Sequence, residues 1–193
     1  MASGAPLRRT GLLLAPGANA DRTQSALVAI DDAVSALGAE VARMDFPYRL
    51  AGRRSPDREP VLLDAVRAAA GAMTVTPERL ALGGRSMGGR ICSMAVADGL
   101  PALGLVLVSY PLHPPGRPDR LRTAHLPRVT VPCLFISGTR DAFGTPGELE
   151  AATSHVVGPV RHVWLEGKDH SLRGCDGRVA EEVAAWLTEV ARS

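Results

Sequence analysis

One serine of the chain lies in the short pattern Gly84-Arg85-Ser86-Met87-Gly88, with a further glycine on each side. Such a pattern can present a nucleophilic serine where a strand runs directly into a helix, because the sharp turn needs small neighbouring residues. The flanking residues predict a strand before the serine and a helix after it. On the pentapeptide alone, a glycine-rich connection whose serine merely caps the helix is an equal alternative. A phosphate-binding loop is a weaker one, because the pattern lacks the required lysine and spacing.

A serine hydroxyl at neutral pH needs a general base, and that base needs an acidic partner to orient it. Asp141 follows the apolar residues 131–136, and His170 follows the next predicted strand. Both are therefore expected at the carboxyl ends of strands, where open parallel sheets gather their ligand sites. A turn aspartate is the alternative for Asp141. Asp169 competes with it as the acid, but adjacent residues seldom face each other, so we predict a Ser86, Asp141 and His170 triad.

Acyl transfer also needs two donors for the oxyanion of the tetrahedral intermediate. We expect these to be the backbone N–H groups of Met87, directly after the serine, and of Ala18, in the loop after the first strand. Surface or packing roles are expected for the remaining histidines and for one cysteine, namely His113, His125, His155, His162 and Cys92. His125 is the one whose loop is placed to overhang the site.

Strands alternate with helices along the chain, which predicts a three-layer α/β sandwich with a mostly parallel central sheet and no large cap domain. Asp21 is the expected N-cap of the first helix. Residues 1–6 are expected to be a flexible leader and residues 7–193 a single domain. The predicted strands are residues 7–15, 40–46, 80–83, 103–109, 131–137 and 160–165, and the predicted helices begin near residues 21, 61, 87 and 179.

The charge pattern argues against a nucleic-acid partner. The formal net charge is +2, and Lys168 is the only lysine, so the basic charge comes from scattered arginines. The densest group of arginines, in residues 49–58, is interpreted as a solvated loop in preference to a phosphate-binding patch. Residues 49–58 and the proline-rich residues 111–127 are expected to shape the entrance to the site.

Three cysteines without a CxxC pair, and a beginning without an apolar signal core, favour a cytoplasmic location. The longest apolar runs are too short to cross a bilayer, so no membrane partner is expected. No His, Cys and Asp cluster has ligand spacing, and neither a metal nor another cofactor is expected. The expected partner is a small ester-like substrate, and the sequence leaves a homodimer open.

With these residues in hand, the chain resembles the compact, dienelactone-hydrolase-like branch of the α/β-hydrolase superfamily. It is also similar to small predicted hydrolases related to the hydrolase-like domain of a nuclear acetyltransferase-complex subunit. The resemblance extends from about Leu12 to the C-terminal helix, and many relatives carry His-Gly where this chain has Pro16-Gly17. Its most specific stretches are residues 82–90, 110–116, 137–141 and 167–171.

The resemblance implies a parallel sheet without an inserted cap, and triad roles for Ser86, Asp141 and His170. We therefore expect a serine hydrolase that cleaves a small carboxylic ester or thioester through an acyl-enzyme. The alternative is a noncatalytic interaction module that keeps the fold and its serine turn for structural reasons.

Overall fold

Residues 6–192 are described by a computed structural model, in which a six-stranded sheet carries helices on both faces. The strands are β1 Gly11–Ala15, β2 Glu40–Arg43, β3 Leu80–Arg85, β4 Gly104–Val108, β5 Cys133–Gly138 and β6 Val160–Leu165. The helices are α1 Ser25–Ser35, α2 Pro47–Leu50, α3 Glu59–Gly71, α4 Met87–Ala97, α5 Pro146–Thr153 and α6 Asp176–Val190. No inserted cap domain interrupts residues 6–192. The expected three-layer α/β sandwich with a parallel central sheet and no large cap domain is thus confirmed.

The sheet has the strand order β2-β1-β3-β4-β5-β6, and every neighbouring pair is parallel. Strand β2 lies on one side of β1, and β3 to β6 follow in sequence on the other side. The order in which strands are added across the sheet therefore reverses between β1 and β3. In open parallel sheets, the loops at the carboxyl ends of such a pair diverge and leave a crevice for a ligand. The loop after β1 and the turn after β3 therefore border the natural binding position.

Two apolar layers cover the sheet. Alternate strand residues face opposite layers because successive side chains point to opposite sides of a strand, and four of the strands are buried on both faces. Helices α3 and α4 pack together over one face, while α1 and α6 pack over the other. Trp186 of α6 fills the second layer and is 3% exposed. The two layers fix the strand ends that carry the candidate site.

The first helix begins later than the sequence indicated. Asp21 is not its N-cap, because α1 starts at Ser25 with Gln24 as the capping position. The Asp21 carboxylate instead accepts hydrogen bonds from the backbone N–H and the hydroxyl of Thr23. Asp21 thus closes a local turn before the helix, an alternative that aspartate side chains offer readily.

Two short helices are additions to the expected order. Helix α2 begins at Pro47 inside the segment predicted as irregular, and α5 begins at Pro146 after a capping box of Thr145 and Glu148. Strand β2 ends at Arg43 rather than at residue 46. These differences lie outside the central strands and leave the layer arrangement unchanged.

The expected leader, residues 1–6, lies outside the described residues except for Pro6. Across residues 6–192, no helix combines the length and apolar character that crossing a membrane requires.

Candidate active site

Ser86 lies on the sharp turn between β3 and α4, with a backbone φ of 52°. Positive φ is uncommon for a residue with a side chain and is tolerated where the surrounding structure enforces it. A Cβ on Gly84 would lie 2.0 Å from the carbonyl oxygen of Ala15, and one on Gly88 would lie 2.2 Å from the same atom. Glycine is therefore required on both sides of the serine because the turn presses against the end of β1.

The hydroxyl of Ser86 makes no capping hydrogen bond to α4, although Ser86 occupies the N-cap position. Its Oγ lies 2.9 Å from Nε2 of His170 instead. Nδ1 of His170 lies 2.8 Å and 3.0 Å from the two carboxylate oxygens of Asp141. The structure thus brings the three predicted residues into one continuous chain of hydrogen bonds, and the capping alternative for the serine is wrong.

Asp141 is 2% exposed and follows β5 in a tight loop. The backbone N–H of Phe143 donates to Asp141 Oδ1 at 2.8 Å, so the carboxylate both closes a turn and faces the histidine. A Cβ on Gly138 would lie 2.1 Å from the carbonyl oxygen of Lys168, which shows how tightly the acid and histidine loops are packed. Asp169, the competing acid, accepts from the N–H and hydroxyl of Ser171 and makes no hydrogen bond to the His170 ring.

Two residues that the sequence reasoning missed hold His170 in place. Arg85 donates from Nη2 to the carbonyl oxygens of His170 at 2.8 Å and Ser171 at 2.7 Å. Burial lowers the pKa of Arg85 from its usual value, and nearby carboxylates, including Asp141, oppose that change. The ring of Phe143 stacks on the imidazole with a centroid separation of 4.0 Å. A sequence offers only weak signals for these roles, the strongest being the position of Phe143 two residues after the acid.

The two predicted oxyanion donors border the same site. Met87 and Ala18 both line the cavity beside Ser86, and neither N–H donates to an acceptor within residues 6–192. The neighbouring Gly17 N–H is taken by the side chain of Gln24 at 3.1 Å. Tyr48 donates its hydroxyl to the carbonyl oxygen of Ala18 at 2.5 Å, which fixes the peptide that follows Ala18. Both candidate N–H groups therefore belong to residues at the cavity and have no acceptor among residues 6–192.

The cavity over Ser86 has a volume of about 660 Å³, within the range of small-molecule sites. Residues 49–58 contribute Pro56 and Asp57 to its wall, and residues 111–127 contribute Pro111 and Arg122. Both segments thus shape the cavity in the way the sequence suggested. His170 also lines it, so the candidate nucleophile and base face one space.

The remaining histidines and Cys92 do not line the cavity. His125 is 6% exposed and its Nε2 lies 2.8 Å from Ser93 Oγ, so its ring lies in the core and does not line the cavity. His162 is stacked between Phe135 and Trp164. Burial raises the pKa of the Cys92 thiol to about 12, as expected for a packing residue. Within the described part of the chain, no three His, Cys, Asp or Glu side chains form a metal-binding group.

Solved structures with the same fold include several hydrolases. Est1E from Butyrivibrio proteoclasticus, solved with ferulic acid bound, superposes with a TM-score of 0.79 at 15% identity, covering 100% of this chain and 94% of that one. An alpha-beta serine hydrolase homologue from Coxiella burnetii gives a TM-score of 0.77 at 16% identity, covering 93% and 86%. A dienelactone hydrolase from Anabaena variabilis gives 0.74 at 20% identity, covering 94% and 87%. At these identities the likeness establishes the fold.

A family model described as an alpha/beta hydrolase domain matches residues 8–192, which is nearly the whole chain. This match supports a hydrolase activity. The chain belongs to the alpha/beta hydrolase domain family.

Proposed function

We propose that the protein is a serine hydrolase that cleaves a small carboxylic ester or thioester through an acyl-enzyme. The observation that carries the proposal is the chain of hydrogen bonds from Ser86 through His170 to Asp141, open to a cavity at the serine. A serine that only shaped the turn would have no need of a histidine at 2.9 Å or of a buried carboxylate behind it.

In the first step, Ser86 Oγ attacks the carbonyl carbon of the substrate while His170 Nε2 accepts the hydroxyl proton. Asp141 fixes the tautomer in which Nδ1 carries a proton, and it stabilises the imidazolium that forms. The carbonyl oxygen becomes an oxyanion, which the N–H groups of Met87 and Ala18 receive. The N-terminus of α4 adds a favourable dipole at this position.

Collapse of the first intermediate breaks the bond to the leaving alcohol or thiol, which takes the proton from His170. Water then attacks the acyl-enzyme as His170 accepts one of its protons. The second collapse releases the carboxylic acid and returns the proton to Ser86 Oγ, so the enzyme is regenerated. The cavity holds the acyl or alcohol part of the substrate while these steps proceed.

An active-site probe tests the proposal directly. A fluorophosphonate should label the wild-type protein at Ser86, and short-chain p-nitrophenyl esters and acyl thioesters should be hydrolysed. Ser86→Ala should lose both labelling and turnover, whereas Ser154→Ala, at an exposed serine after α5, should retain them. Absence of both labelling and Ser86-dependent turnover would refute the enzyme and favour a noncatalytic module. The ratio of ester to thioester turnover decides between the two bonds.

The choice of acid is tested by a matched pair of neighbouring aspartates. Asp141→Asn retains an oxygen for the Phe143 N–H but places an amide against His170, and it should lower kcat by roughly 10⁴ as in other serine triads. Asp169→Asn changes the turn at Ser171 and removes a charge near His170 but leaves the Asp141–His170 pair intact, so it should lower kcat far less than Asp141→Asn does. Equal losses in the two variants would show that Asp141 is not the acid.

A further inference from the structure

The cavity over Ser86 contains charge that the acyl-transfer steps do not use. Arg90 and Arg122 both line it, the first from the second turn of α4 and the second from the loop before β5. Their guanidinium groups are near enough to each other that the positive charge of Arg90 disfavours the protonated form of Arg122. Burial first, and then this neighbouring charge, lowers the pKa of Arg122. Two like charges beside one cavity form a local positive field.

The carboxylates at the same cavity leave this charge only partly balanced. Glu59 lies 3.2 Å from Arg90, and Asp57 lies 2.7 Å from Arg53, which is outside the cavity wall. Arg122 has no acidic partner within residues 6–192, and its side chain donates one long hydrogen bond of 3.4 Å to the carbonyl oxygen of Pro111. A half-buried guanidinium without a carboxylate partner retains donors that an anion from solution can satisfy.

The backbone of Arg122 is held by two hydrogen bonds, which fix the point at which its side chain leaves the loop. The Arg122 N–H donates to the carbonyl oxygen of Leu112 at 2.8 Å. The hydroxyl of Tyr110, which is 2% exposed, donates to the Arg122 carbonyl oxygen at 2.8 Å. Because the loop is already ordered at Arg122, a ligand that binds there has no backbone to order and restricts only the side chain.

We infer that Arg122, with Arg90 beside it, binds an anionic group of the substrate, so that the enzyme selects esters or thioesters carrying a carboxylate, phosphate or similar anion. The inference rests on the proposed serine hydrolase function and adds the substrate class to it. The anion lies on either the acyl or the alcohol side of the bond, and the shared requirement is a negative charge that reaches Arg122 while the carbonyl lies at Ser86.

Paired substrates of similar length test this selectivity. On the acyl side, the p-nitrophenyl monoester of adipic acid is compared with its neutral methyl ester. On the alcohol side, 4-carboxyphenyl butyrate is compared with 4-(methoxycarbonyl)phenyl butyrate. The measured quantity is the ratio of kcat/KM for the anionic substrate to that for the neutral one. Because wild type and variant use the same pair, differences in intrinsic reactivity cancel.

Arg122→Met should lower this ratio at least about tenfold in one of the two pairs, which is the usual loss for a charge-assisted hydrogen bond. Arg122→Lys keeps the charge without the planar fork and should retain part of the preference. Arg117→Met is the matched control, since Arg117 is an exposed residue of the same loop that does not line the cavity. It should keep the wild-type ratio. Ratios within about twofold between wild type and Arg122→Met in both pairs would overturn the inference.

The two proposals fail in different ways. If neutral esters are hydrolysed in a Ser86-dependent manner but Arg122→Met leaves both ratios unchanged, only the anion site is wrong. If no ester is hydrolysed, the hydrolase proposal is wrong, and calorimetric titration of the folded Ser86→Ala protein with monomethyl adipate decides the anion site. Binding that weakens at least about tenfold in the Ser86→Ala, Arg122→Met double variant supports the site, and equal binding or no binding refutes it.

Discussion

Acidification should weaken the folded state through His125, a buried histidine outside the candidate site. The ring is 6% exposed and lies 2.8 Å from the hydroxyl of Ser93. Burial, followed by the positive charges of Arg90 and Arg128, lowers the pKa of His125 from 6.5 to about 4, with Asp98 opposing the change. The folded protein therefore holds this histidine neutral at pH values where an unfolded chain already protonates it.

The effect of His125 on the free energy of unfolding follows from the difference in its proton binding between the folded and unfolded chains. The unfolded chain binds the proton near pH 6.5 and the folded chain only near pH 4, so His125 destabilises the fold progressively as the pH falls between these values. The full loss of folding stability is about 3 kcal/mol, and about 2 kcal/mol of this loss occurs between pH 7 and pH 5. A loss of that size is a large fraction of the stability of an ordinary domain.

The assay is urea unfolding followed by tryptophan fluorescence at pH 7 and pH 5. Wild type should lose about 2 kcal/mol more than His125→Gln between the two pH values, because glutamine has no proton to gain. Ser93→Ala is the control: it keeps the ionisable ring in its buried position and should retain most of the pH dependence. The reasoning is refuted if wild type and His125→Gln lose the same free energy of unfolding on acidification.

Two further predictions concern packing. Gly88→Ala places a Cβ 2.2 Å from a backbone carbonyl oxygen of β1 and should lower the free energy of unfolding by about 1–3 kcal/mol. At Gly71 an added Cβ meets no atom within 4 Å. In the same urea titration, Gly71→Ala should therefore leave the free energy of unfolding unchanged or raise it by up to about 1 kcal/mol. Burial raises the pKa values of the Cys92 and Cys133 thiols to about 12. A disulfide reagent at pH 8 should therefore modify one thiol of the native protein, that of the half-buried Cys175. It should modify all three thiols after denaturation. Rapid modification of more than one native thiol would contradict the second prediction.

The sequence predicts the central strands well because their hydrophobic runs are continuous. Strand β6 has the expected bounds of Val160–Leu165, and the turn at Ser86 joins a strand to a helix as its pattern indicated. Helix α5 was missed although Thr145 and Glu148 carry a capping-box signal, because the eight residues of the helix, Pro146–Thr153, have little apolar periodicity. The Asp21 cap was wrong because two local hydrogen-bonding arrangements compete for one carboxylate.

The candidate triad was predictable because parallel strands place their carboxyl ends together, so chain order alone locates Asp141 and His170 near Ser86. The residues that support the triad and line the cavity were not predictable in this way. Arg122 reaches the cavity only because Tyr110 and the backbone of Leu112 hold its loop, and such long-range contacts leave no periodic trace in the sequence. Residues that shape a substrate pocket generally lie on loops of this kind.

Arg85, one residue before the candidate nucleophile, ties two distant parts of the chain into one cooperative unit. Its guanidinium holds the carbonyl oxygens of His170 and Ser171, so opening the loop after β6 breaks two hydrogen bonds to the residue that precedes the serine. The loop after β6 should therefore resist local opening, and its backbone amides should exchange with solvent more slowly than those of a loop without such contacts. Residues 49–58 and 111–127 form part of the cavity wall without bonding to this guanidinium, so substitutions there should change the shape of the cavity while the distance between serine and histidine stays constant.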